Sequence, residues 1–227
     1  MTIKHIEFDD KASLQEAFKR AILEELEKPC GEGPCLTILP GGSTPLAVYA
    51  EIVNEGAHSA SCRALVLSDE RMVPSDHEDS NYRSIRPMAE ACGIADERII
   101  SPTTDLPLKD AATDFDQRLR VITEEGATVD SCFLGLGTDG HTASLFPDMD
   151  IPSADDPRFA VPAPKESGPS RISITPRLIH MAKQIIFLVS GSEKTEMTNR
   201  LLQDPESIPA GVAVRGHQDV QIWSCLS

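Results

Sequence analysis

The runs Leu36-Thr37-Ile38-Leu39, Ala64-Leu65-Val66-Leu67, Cys132-Phe133-Leu134-Gly135-Leu136 and Ile185-Ile186-Phe187-Leu188-Val189 constrain this chain more than any other feature. Each is short and nearly continuous in apolar residues instead of alternating with polar ones. Each therefore fits a strand buried on both faces, as in a parallel sheet covered by helices. Parallel neighbours cannot be joined by a tight hairpin and need a crossover, usually helical. Helical patterning occurs between the runs: Leu14 to Leu26 ahead of the first, Leu46 to Val53 after it, and Ala112 to Ile122 ahead of the third. This alternation predicts an α/β fold with a mostly parallel sheet flanked by helices. Arg171-Ile172-Ser173-Ile174 and Val220-Gln221-Ile222-Trp223 are further candidate strands. The Pro-, Asp- and Ser-rich stretch from Asp148 to Ser170 reads as a long surface loop near a site. At 227 residues and 40% hydrophobic content, without an internal repeat, a single domain over residues 1–227 is expected.

The charge narrows the partners. Asp and Glu number 36 against 21 Lys and Arg, a formal net charge of -15. That balance repels a polyanionic backbone, so nucleic acid is not an expected partner. No apolar run approaches the ~18 residues that would span a bilayer. Met1 to Phe8 lacks the charged and apolar regions of a secretory leader. The six cysteines, Cys30, Cys35, Cys62, Cys92, Cys132 and Cys225, contain no CxxC pair, and their apolar surroundings favour reduced thiols. Together these features predict a cytoplasmic protein without a membrane partner. Oligomeric state is left open. A small anionic substrate is compatible with the charge only if basic groups and backbone N–H donors gather locally.

In open parallel sheets, ligands bind beyond the carboxyl ends of the strands, so the loops after the runs are the places to search. After the first run comes Pro40-Gly41-Gly42-Ser43-Thr44-Pro45. Its glycines admit a close ligand, and Thr44 can cap a helix beginning at Pro45, whose free N–H groups would attract phosphate. An ordinary strand-to-helix turn is the plainer alternative. The second run ends in Ser68-Asp69-Glu70-Arg71, where charges directly after an apolar strand are costly unless paired or used. A surface ion pair would also explain them. His77, between Asp76 and Asp79, has no second histidine at ligand spacing, so no metal site is expected there.

The loop from Gly135 to Pro147 carries the most chemistry. Gly135, Gly137 and Gly140 spell GxGxxG, but Pro147 limits any following helix and the next stretch is Pro-rich, which argues against a dinucleotide site. What stands out is Asp139 and His141, one residue apart at a strand end. His141 is a candidate general base because its ordinary pKa lies near neutrality, and Asp139 can orient the ring or bind a sugar hydroxyl. A lone histidine is more often structural. Arg171 and Lys194 are candidate anion ligands, although each alone is more often a solvated charge; Lys194 at a helix start makes better electrostatic sense with an anion beside it.

These segments, taken together, resemble the 6-phosphogluconolactonase family, within the larger group that includes glucosamine-6-phosphate deaminase. The matching pieces are Leu39 to Pro45; Ser68 to Arg71 with Val73-Pro74 and Asp79 to Tyr82; Gly135 to Pro147; Arg171 to Thr175; and Gly191 to Lys194. They stand in the family's order over roughly residues 36–223. The resemblance implies the deaminase/ribose-5-phosphate isomerase-like fold and hydrolysis of a sugar-phosphate lactone without metal or other cofactor. It implies a phosphate site at Gly41, Gly42, Ser43, Thr44 and Lys194, Arg71 and Arg171 near the sugar or developing charge, His141 as the base that activates water, and Asp69 and Asp139 lining the pocket. In the deaminase branch a glutamate precedes the loop's proline; here Phe146 precedes Pro147. After Trp223, Ser224-Cys225-Leu226-Ser227 replaces the family's usual acidic and alanine residues. Alternatives are the deaminase/isomerase reaction or a catalytically silent sugar-phosphate sensor. Sensors of this fold usually carry a DNA-binding segment, and the chain ahead of Leu36 is short for one.

Overall fold

The computed structural model describes residues 3–56 and 62–227. Met1 and Thr2, part of the stretch considered for a leader, lie outside these residues. The apolar runs become β2 (Cys35–Leu39), β3 (Arg63–Leu67), β6 (Thr128–Gly135) and β9 (Ala182–Ser190). With β1 (Ile3–Glu7), β5 (Ile99–Ile100) and β10 (Val220–Cys225) they form a 7-stranded sheet in the order β1-β10-β9-β6-β2-β3-β5, parallel at every pairing.

Continuous apolar strands result because both faces are covered. Leu36 and Ile38, Ala64 and Val66, and Ile185, Phe187 and Val189 face one core, with Phe115 and Leu119 of α4 (Leu108–Glu124) and Leu201 of α6 (Thr195–Gln203). Leu39, Leu65, Leu67, Ile186 and Leu188 face the other, with Leu14, Phe18 and Ile22 of α1 (Lys11–Glu27) and Val48, Tyr49 and Ile52 of α2 (Ser43–Glu55). Successive strand residues thus supply opposite layers, and each buried Leu, Ile or Phe contributes roughly 1.5–3 kcal/mol. The second layer is completed by Ile85 and Met88 of α3 (Asn81–Ala91). Among the described residues no helix is long and apolar enough to cross a membrane.

Arg171–Ile174 is the expected strand, β8, and it stands outside the main sheet: it pairs antiparallel with β4 (Asp69–Arg71) and β7 (Ala160–Ala163) in a 3-stranded sheet. Other local expectations are corrected. Strand β7 lies inside the stretch read wholly as loop; Pro162 interrupts the strand signal there. The main-sheet strand β1 escaped notice because it lies at an edge and is only partly buried, so its sequence is mixed. The expectation of six reduced cysteines also changes. Cys30 and Cys62 form a disulfide with a Cα separation of 6.1 Å. They precede the paired strands β2 and β3, and that pairing brings two distant loops to the same edge. Cys35, Cys92, Cys132 and Cys225 are free and buried.

Candidate active site

The chain leaves β2 for β3 on one side, while β6 pairs with β2 on the other. Such a reversal opens a crevice at the carboxyl ends of the strands. Here the crevice is a cleft of about 180 Å³ walled by Pro40, Gly41 and Gly42 after β2, Leu136, Gly137, His141 and Ala143 after β6, and Lys194 after β9. The small sheet closes the remaining side with Asp69, Arg71 and Arg171. Its attachment is backbone: Ser68 N–H donates to Leu39 O at 2.9 Å, and Ile174 N–H to Ser68 O at 3.0 Å.

The β6 loop is folded around its histidine. His141 Nδ1 lies 2.5 Å from Asp139 Oδ1, and the His141 amide donates to that same oxygen at 3.1 Å. This occupies Nδ1 and leaves Nε2 as the nitrogen available to a ligand. Burial pushes the Asp139 carboxyl up, but the His141 contacts outweigh it and hold the group below its ordinary range. Gly137 is required by this packing, since a Cβ there would meet the His141 ring and Asp139. The turn is completed by Gly140 at φ 85° and by Ala143 at φ 48°, the latter a left-handed conformation costing roughly 1–2 kcal/mol for a residue with a Cβ. Phe146 lies beside His141, ring centroids 4.8 Å apart.

Asp69 is buried and accepts from Ser144 Oγ at 2.6 Å and Ser68 Oγ at 3.2 Å, with Arg171 Nη1 at 3.6 Å. Arg71 donates from Nη1 to the Asp79 carbonyl at 2.6 Å. The Nε atoms of Arg71 and Arg171 are buried without a partner among the described residues. Unpaired buried donors are costly unless a ligand completes them. The cleft therefore combines a histidine with a free ring nitrogen, underused guanidinium donors and an ammonium group. Such a set can bind an anionic, oxygen-rich molecule and take a proton from water. Among the described residues no group of three or more His, Cys, Asp or Glu is placed to hold a metal ion.

A family model for glucosamine-6-phosphate isomerases/6-phosphogluconolactonase matches residues 9–223. The chain belongs to this family. It is 31% identical to 6-phosphogluconolactonase of Homo sapiens over 182 residues, covering 77% of this chain and 69% of that one. The identity is likewise 31% to 6-phosphogluconolactonase of Thermotoga maritima over 204 residues, 89% of this chain and 86% of that one. A solved monomeric glucosamine-6-phosphate deaminase superposes with a TM-score of 0.78 at 21% identity, covering 98% and 97% of the two chains. That likeness establishes the fold, which the two branches of the family share.

Within this family frame, Gly41, Gly42, Asp69, Arg71, His141, Arg171 and Lys194 all reach the cleft wall, and Asp139 meets it through His141. Ser43 and Thr44 do not line it. Thr44 is not the cap either: α2 begins at Ser43 with Gly42 as N-cap, φ 100°, so Pro45 is its third residue. A left-handed Gly42 leaves the first amides without a side-chain acceptor, which keeps this helix end available to an anion. Sequence reasoning missed Lys165, whose Nζ sits 3.7 Å from the Phe146 ring centroid, because nothing in a Pro- and Ser-rich stretch marks one lysine. It also missed Ser144, although Ser144 lies in the same loop as His141 and anchors Asp69. The divergent C-terminus continues as strand: Cys225 ends β10, and its carbonyl accepts from Gly191 N–H at 2.9 Å, fixing the turn before Lys194.

Proposed function

We propose that this protein is a 6-phosphogluconolactonase acting as one domain over residues 1–227. It hydrolyses 6-phospho-D-glucono-1,5-lactone to 6-phospho-D-gluconate in the oxidative pentose phosphate pathway, in the cytoplasm and without a cofactor. The carrying observation is the His141–Asp139 pair, with Nε2 free, in a cleft that also holds Arg71, Arg171 and Lys194. Lys194 and the Gly42 end of α2 receive the phosphate. His141 Nε2 removes a proton from water as the oxygen attacks the lactone carbonyl, and Asp139 holds the ring and steadies the imidazolium. Arg71 stabilises the carbonyl oxygen as it becomes negative, and Arg171 supports the sugar side. The ring oxygen then leaves as a hydroxyl after taking up a proton.

Phe146 favours this reading over the deaminase reaction. Opening an amino sugar, isomerising it and releasing ammonia require several proton transfers at different atoms. A phenyl ring beside His141 supplies none. The direct test is release of acid from freshly made lactone, corrected for spontaneous opening. The expected result is a rate well above a protein-free blank; a rate equal to the blank contradicts the proposal.

A further inference from the structure

Glu70 stands directly between Asp69, which lines the cleft, and Arg71, which is assigned to the oxyanion, yet its carboxylate points away from the cleft. It is 1% exposed, and among the described residues it forms no ion pair. Its oxygens are nonetheless filled. Oε1 accepts from Arg71 N–H at 2.7 Å and Asn81 N–H at 2.9 Å; Oε2 accepts from Tyr82 N–H at 2.7 Å and Ser80 Oγ at 3.1 Å. Only an ionised carboxylate is acceptor on every side, so this donor set favours the charged form against the cost of burial.

These bonds do more than cap a helix. Ser80 Oγ accepts from Arg83 N–H at 3.1 Å and Glu70 takes the Asn81 and Tyr82 amides of the same first turn of α3, while β4 keeps its ladder to β8. What Glu70 adds is a tie between them, strengthened by the positive end of the α3 dipole. The tie reaches the cleft on both sides. On one, Arg71 is held at its backbone by Glu70 and at its guanidinium by the carbonyl of Asp79, just ahead of α3. On the other, Asn81 donates from Nδ2 to Asp69 O at 2.9 Å and packs against Gly41 so closely that a Cβ on Gly41 would meet its Oδ1.

We propose that Glu70 is a positioning residue for the hydrolysis: its buried carboxylate locks the start of α3 to β4, so that the Arg71 guanidinium is preset where charge develops on the carbonyl oxygen. The inference rests on the lactonase reading above, with Arg71 at the oxyanion. Misplacing a group of this kind by about 1 Å costs roughly 10²-fold in rate. Glu70 makes no bond to Lys194 or to the Gly42 end of α2, its partners being Arg71, Ser80, Asn81 and Tyr82, so its loss falls more on turnover than on phosphate binding.

The test compares Glu70→Gln, Arg71→Ala and the double variant using freshly made 6-phosphogluconolactone, with inorganic phosphate as a binding probe. Glutamine keeps the shape but sets an NH2 against backbone donors. The expected result is a kcat reduced about 10²-fold in Glu70→Gln, with KM and phosphate affinity changed less than about threefold. The double variant should be no slower than Arg71→Ala alone, because a residue acting through Arg71 has nothing left to position. Losses that multiply in the double variant, or a change confined to KM, overturn the inference. If Glu70→Gln does not fold, Glu70→Asp keeps the charge on a shorter arm, and the same non-additivity with Arg71→Ala is required of it. Failure of the lactonase reading is separate, because wild-type protein would then show no turnover at all.

Discussion

Charge is buried at both ends of the parallel strands, and the buried Arg63 at the amino edge and Glu70 at the carboxyl edge are held in opposite ways. At the amino edge, Arg63 is fully buried against Glu25 at 3.0 Å and Asp130 at 2.6 Å, while Lys183 reaches Asp130 from outside. At the carboxyl edge, Arg71 has a backbone carbonyl as its partner, and Glu70 is held by N–H and O–H groups alone. The carboxyl groups register the difference. Burial pushes Asp130 up, but Lys183 and Arg63 outweigh it and its pKa falls below 3.8. Burial also pushes Glu70 up, and it outweighs the Tyr82, Asn81 and Arg71 amides that favour the charged form, so the pKa lies above 4.5. Neutralised charge fastens one edge; charge held against its solvation preference shapes the other, where a ligand is to arrive.

The sharpest way to break that contrast is His141→Ala. It should lower kcat by about 10²–10⁴-fold with product affinity and thermal stability nearly unchanged. A kcat within a few-fold of wild type would remove His141 from the role of base. Arg63→Met is the converse experiment. Leaving Glu25 and Asp130 buried without their cation should cost about 3–5 kcal/mol of stability in denaturant titration. Turnover per folded molecule should not move; if it falls as far as stability does, the edges are not separable. Lys194→Ala should raise KM for the phosphorylated lactone by roughly tenfold, while leaving unphosphorylated gluconolactone almost untouched. An unchanged preference between the two substrates would take Lys194 out of the phosphate site.

The smallest expected effects lie in the pH dependence of stability. Asp130, with a depressed pKa, contributes stability that is present above about pH 3.8 and is lost as pH falls through its folded value. Glu70, with a raised pKa, has the opposite sign: its contribution is present below about pH 4.5 and is lost as pH rises through its folded value. Relative to wild type, Asp130→Asn should flatten the acid-side loss, and Glu70→Gln should flatten the decline above pH 4.5. Parallel pH profiles for wild type and Glu70→Gln in that upper window would contradict the assignment of Glu70 as a carboxyl held above its ordinary value.

The parallel sheet was legible because burial on both faces leaves an unbroken apolar signature in β2, β3, β6 and β9. Edge and short strands leave a weaker one, which is why β1, β4 and β7 did not emerge, although β8 did. The candidate cleft was readable where a residue type is unusual for its place: a His–Asp pair among glycines, or charges directly after an apolar strand. Lys165 had no such signal, and Asn81 was marked only as part of the Asp79 to Tyr82 match; the place of each arises from what the chain brings against it, Phe146 and Gly41 respectively. The Cys30–Cys62 pair was hidden for a related reason. Its members are 32 residues apart and meet only because β2 and β3 are neighbours.

The fold is common to lactonase and deaminase, so the decisive measurement offers both substrates to the same preparation. Fresh 6-phosphogluconolactone is followed by acid release, and glucosamine 6-phosphate by ammonia. A carboxyl edge built around His141 with Phe146 beside it should open the lactone far faster than the blank and release essentially no ammonia. Ammonia release at a rate rivalling lactone hydrolysis would contradict both the role given to Phe146 and the lactonase assignment.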